Sequence, residues 1–86
     1  MTFTVIWRLS AIQQLDAATA GADDPARVRE AAARVDFMLR RWARDLGESR
    51  EKGYRLWYED VIGVFYRIDE EAMRVEVLFA GPSRRR

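Results

Sequence analysis

From Tyr54 onward apolar and polar side chains alternate with a period of two, whereas from Val28 to Leu46 the apolar positions return every three or four residues. Such a change of period separates helix from strand. The helical run is Val28, Ala31, Val35, Met38, Trp42 and Leu46, with Leu39 beside them. Asp24 ahead of Pro25 suits an N-cap followed by the first helical position, where the amide proton that proline lacks is not needed. With Gly47 as a stop, a helix is predicted over 25–46. A shorter helix is predicted over 10–20, opened by Ser10 and Gln13 as a capping box and closed by Gly21. Before it, residues 3–8, Phe-Thr-Val-Ile-Trp-Arg, are rich in β-branched and aromatic types and predict a first strand.

The alternating half predicts strands over 54–58, 61–68 and 73–80, separated at hairpin lengths by Glu59-Asp60 and by Asp69-Glu70-Glu71-Ala72. The whole reads as α+β, in the order β-α-α-β-β-β, with a mainly antiparallel sheet and two helices packed on one of its faces. One face then collects Tyr54, Leu56, Tyr58, Ile62, Val64, Tyr66, Ile68, Met73, Val75, Val77 and Phe79 as the core side. The other carries Arg55, Trp57, Gly63, Phe65, Arg67, Arg74, Glu76 and Leu78. With both helices on the apolar side, Trp57, Phe65 and Leu78 would stay uncovered beside Arg55 and Arg67, a composition that suits a binding surface.

At 86 residues and 10.1 kDa the chain has room for one domain, 1–86, and a hydrophobic share of 49% is enough to fold it. Cysteine and histidine are both absent, which excludes disulfides, thiolate and imidazole chemistry and the usual zinc, haem and iron–sulfur ligands. The acids cluster at turns and no glycine-rich phosphate loop exists, so neither a metal nor a cofactor is expected. No membrane span or secretory signal is evident, and a cytoplasmic location is expected. Net charge is +1, yet residues 27–55 hold nine basic and five acidic side chains while residues 56–83 hold two and six. All basic residues but Lys52 are Arg, whose planar fork suits phosphate and carboxylate. Arg27, Arg34 and Arg41 repeat at intervals of seven on the long helix, either as a solvated face or as a phosphate- or partner-facing stripe.

Trp7, Arg8, Ser10, Ala11 and Leu15 at the first strand-to-helix junction, with Tyr54-Arg55-Leu56, Val64-Phe65-Tyr66-Arg67-Ile68-Asp69 and Val75-Glu76-Val77-Leu78 before Gly81 and a basic tail, form a pattern that resembles the RelE/ParE toxin superfamily. That resemblance implies a toxin made with a cognate antitoxin, whose target is either mRNA in the ribosome or DNA gyrase. For a metal-free ribonuclease it implies cationic side chains that hold phosphate, here Arg55 and Arg67. The pattern departs from the family where Trp57 stands at a common Lys position and where Gly63 and Ser83 stand at common Arg positions. Those departures favour a toxin that acts by binding, with an active ribosome-dependent mRNA endonuclease and a non-toxic interaction module as alternatives. Trp57, Phe65 and Leu78, with Arg84, Arg85 and Arg86, are the expected binding residues. Homodimer formation stays open.

Overall fold

The computed structural model describes residues 2–83. Its elements are β1 (Thr4–Trp7), α1 (Leu9–Ala20), α2 (Pro25–Trp42), β2 (Glu48–Ser49), β3 (Tyr54–Glu59), β4 (Ile62–Asp69) and β5 (Arg74–Pro82). They build an α+β domain with a five-stranded sheet in the order β1-β5-β4-β3-β2. Only the β1–β5 pair is parallel, because the two helices lie between those strands in the chain; the remaining pairs are hairpin-linked or adjacent and antiparallel. The two-residue β2 has no counterpart among the expected elements.

The core lies between the helices and one sheet face. Val28, Ala31, Val35 and Leu39 of α2 meet Ile62, Val64 and Tyr66 of β4 and Val75, Val77 and Ala80 of β5, with Ala11 and Leu15 of α1 closing the side. Val28, Ala31 and Val35 thus take the role read from their spacing, but beyond them Leu39 and Ala43 are buried in place of Met38, half-buried, and Trp42, 45% exposed. Asp24 caps α2, its side chain accepting from the Arg27 amide at 3.3 Å, with Pro25 at the first turn.

Three local expectations are corrected. Ser10 does not cap α1; the helix already starts at Leu9, and the Ser10 hydroxyl donates to the Leu78 carbonyl at 2.8 Å. Beyond Val77, β5 has no β1 partner, and α1 supplies side chains in its place: the Ala80 amide donates to Gln14 Oε1 at 2.9 Å. Second, α2 stops at Trp42 and not at 46, since carbonyls of the following turn are claimed from the sheet. The Tyr66 hydroxyl donates to Ala43 O at 2.8 Å and lies 3.1 Å from Leu46 O, to which Arg55 Nε also donates.

The third correction concerns which way β3 faces. Glu59 pairs with Ile62, so the loop is Asp60-Val61 and not Glu59-Asp60, and Trp57 opposes Val64 while Leu56 opposes Phe65. A two-residue loop at either position pairs odd residues with even ones, whereas the expected core side carried even numbers straight through the turn. Trp57 and Arg55 thus lie on the helix side with Val64 and Tyr66, and Tyr54, Leu56 and Tyr58 on the opposite side with Arg67, Phe65 and Gly63. A second parity change occurs in β5. The register breaks between Phe65, paired with Phe79, and Tyr66, paired with Val77, which makes Leu78 the extra residue of a bulge. Val75, Val77 and Ala80 are consequently buried, and Phe79 is 51% exposed instead of sitting in the core.

Candidate functional site

The sheet face turned away from α2 carries an aromatic row. The Tyr54 ring stacks on Phe65 with centroids 5.5 Å apart, and Phe65 lies 6.2 Å from Phe79, bridging three strands. Leu56, opposite Phe65, adds an aliphatic member. Beyond the row Gly63 and Gly81 face each other in register, and the Tyr58 ring lies where a Cβ at Gly63 would fall, 2.9 Å from it. Around Gly81 nothing stands within 4 Å of that position, so the sheet dips there. This dip is the floor of an open groove of about 630 Å³ walled by Gln14, Ala17 and Ala18 of α1 and by Leu56, Phe65 and Phe79. Small alanines on α1 and paired glycines on the strands are what leave the groove open.

Charges on this face are paired with one another, although Arg74 Nε is buried without a hydrogen-bond partner. Arg67 reaches Glu76 at 3.2 Å and Arg8 reaches the same carboxylate at 3.4 Å. Arg74 meets Asp69 at 3.4 Å. A second hollow, about 530 Å³, gathers Arg44, Lys52, Arg55 and Arg67 against Glu70 near the start of β3. Besides Arg67, two more of its cations have other work. Arg44 grips Glu70 through Nε at 2.9 Å and a second nitrogen at 2.8 Å, and these hydrogen bonds hold the Glu70 carboxyl below its ordinary range. Arg55 donates to Leu46 O at 2.6 Å and to Gly47 O at 3.2 Å. Only glycine suits position 47, because φ there is +67° and a Cβ would run into the Leu56 carbonyl.

Of the sequence-predicted residues, Phe65 and Arg67 share the uncovered face, whereas Trp57 is partly buried against the core and Arg55 fastens the turn after α2. Leu78 is the bulged residue of β5 and its carbonyl is taken by Ser10. Arg84, Arg85 and Arg86 lie outside the described residues. Tyr54, Leu56 and Phe79 are the members that pattern reading assigned to the core. The signal that identifies Tyr54 and Leu56 is the length of the loop, since a two-residue turn pairs even positions of β3 with odd positions of β4. Asp60 opens that loop with a left-handed backbone, φ +50°, which aspartate tolerates better than most residues. The Arg27 and Arg34 stripe of α2 also has a definite role: Arg27 pairs with Asp60 at 2.7 Å and Arg34 with Glu59 at 2.8 Å, clasping that same turn. The hydrogen bond from Arg27 keeps the Asp60 carboxyl below its usual range.

Among the described residues no cluster of acids is placed to hold a metal ion, and no helix is long and apolar enough to cross a membrane. What the face offers chemically is apolar area and ring surface, with guanidiniums already in ion pairs. No family model matches the sequence, and no curated protein matches it. Solved structures do. A chain of the toxin–antitoxin complex RelBE2 from Mycobacterium tuberculosis aligns with a TM-score of 0.78 at 23% identity, over 96% of this chain and 100% of that one. A chain of the chromosomal ParDE TA system from P. aeruginosa aligns with a TM-score of 0.72 at 16% identity, over 93% of this chain and 95% of that one. This chain has their fold. It is the architecture that the resemblance to the RelE/ParE superfamily implies.

Proposed function

We propose that this chain is the toxin of a type II toxin–antitoxin pair, that it works in the cytoplasm by binding its target, and that a cognate antitoxin neutralises it by covering the face opposite α2. The observation that carries this reading is the aromatic row Tyr54, Phe65 and Phe79, which runs across three strands on the sheet face that α2 leaves uncovered. An apolar, ring-rich surface with a recessed groove is the composition that macromolecular interfaces favour. The likeness in fold to chains of two toxin–antitoxin systems supports the class. Phe65 is then the central anchor, flanked by Tyr54, Leu56 and Phe79, and Trp57 sets the strand beneath them. Binding fits better than cleavage because Arg55 is spent on the carbonyls of Leu46 and Gly47 and Arg67 on Glu76.

A second reading has one observation behind it. The hollow that brings Arg44, Lys52, Arg55 and Arg67 together would suit a phosphate, as a metal-free, ribosome-dependent mRNA endonuclease requires. Induced expression of the chain in a bacterium tests the class: growth arrest relieved by co-expression of the adjacent reading frame is expected, and unaffected growth would leave an interaction module. Purified ribosomes programmed with mRNA, and a supercoiling assay with purified gyrase, separate the targets. A-site cuts that vanish in Arg67→Ala would replace the binding reading with the catalytic one.

A further inference from the structure

We propose that the outer edge of β1 joins two copies of this chain into a two-fold symmetric dimer whose sheets run on as one. β1 ends the sheet. The Thr4 and Arg8 amides donate inward, to Met73 O and Val77 O at 2.9 Å each. Alternate residues of a strand address opposite edges, so the backbone groups of Val5 and Trp7 point outward, where no further strand follows among the described residues. Ahead of them, Phe3 donates to Arg40 O at 2.7 Å and closes the edge to further pairing. The free stretch, Thr-Val-Ile-Trp, contains no Lys, Pro or bulge of the kind that blunts exposed edges. Apolar surface gathers beside it: Ile6, Leu9 and Ile12 are 38%, 69% and 42% exposed within seven residues of chain.

Two properties of the edge select a second copy as its occupant. It is self-complementary: laid antiparallel about Ile6, Val5 of each copy faces Trp7 of the other and exchanges both N–H···O bonds with it, while Ile6 faces Ile6 across the axis. It is also electrically satisfied. The cation bordering it, Arg8, is already paired with Glu76 at 3.4 Å, so neither an acidic nor a basic partner gains a new ion pair along the seam. A strand seam this short falls below about 1,200 Å² of buried area, so the dimer forms in proportion to concentration.

Sedimentation equilibrium of the purified chain over a roughly hundredfold concentration range is expected to show reversible dimerisation. Ile6→Lys and Ile6→Glu each place like charges across the axis and are expected to raise the dissociation constant by at least about tenfold while far-ultraviolet circular dichroism stays that of the parent. Mixing the two variants in equal amounts is expected to restore dimers, now mixed ones. A parent chain that stays monomeric throughout, a dimer that Ile6→Lys leaves intact, or variants that do not pair on mixing would each overturn the proposal.

Discussion

The two faces of the sheet are built from similar residues and do opposite things. Under α2, Val64, Tyr66, Val75 and Val77 are sealed, and the one polar group among these side chains, the Tyr66 hydroxyl, is hydrogen-bonded. On the far side Tyr54, Leu56, Phe65 and Phe79 touch one another but have no layer above them. Aromatic character therefore does not distinguish core from surface in so small a domain; the covering element does. The covered face holds the fold together, and the open one is available to a partner.

Substitutions on the two faces should separate stability from binding. The largest loss is expected at the fully buried Leu39 of α2, where Leu39→Ala should cost about 2–5 kcal/mol in urea denaturation. Tyr66→Phe should cost about 1–2 kcal/mol, because it strips a buried donor from Ala43 O. That variant also tests alkaline behaviour. Burial pushes the Tyr66 phenol up to about 12, so the stability it contributes is full below about pH 10 and fades as pH rises through about 12. The parent should lose stability over that window and Tyr66→Phe should lose less, as read from thermal midpoints.

At Arg55 the comparison is sharpened. Arg55→Ala should lower stability by roughly 1.5 kcal/mol through the loosened turn at Leu46 and Gly47, with growth arrest by the induced chain reduced only as far as the folded fraction falls. Loss of arrest with the fold intact would move Arg55 into the working surface. Phe65→Ala, on the open face, should alter stability by about 1 kcal/mol or less yet weaken the antitoxin complex by about 2 kcal/mol or more in calorimetric titration. The smallest effect is expected on mild acidification. The Asp60 and Glu70 carboxyls are held low by hydrogen bonds from Arg27 and Arg44, so their contribution is present above about pH 4 and is lost as pH falls through their lowered folded values. Faster amide exchange in the β3–β4 and β4–β5 turns below about pH 4 would register it.

The architecture was legible in the chain because period and punctuation agree: Asp24-Pro25 opens α2, its apolar stripe packs as spaced from Val28 to Val35, and the three C-terminal strands pair as hairpins. The candidate site was only half legible. Strand existence depends on composition, but the side a residue faces depends on a single count through each turn and bulge. A two-residue loop pairs even positions of β3 with odd positions of β4, which sets Leu56 and Tyr58, and not Trp57 and Arg55, on the open face, and the extra Leu78 brought Phe79 there. Phe65 and Arg67 kept their expected face because β4 lies between the two irregularities and its buried partners Val64 and Tyr66 fix its parity. Nor can charge alone show which guanidiniums are occupied, since Glu76 and the carbonyls of Leu46 and Gly47 reach Arg67 and Arg55 only through the tertiary fold.

The parallel pairing of β1 with β5 also sets the order in which the molecule can be made. Thr4 to Trp7 leave the ribosome before both helices and before their partners, Arg74 to Val77, so the nascent chain carries an apolar ribbon with no mate until β5 follows. The β1–β5 seam therefore closes only after the helices and the other strands have emerged.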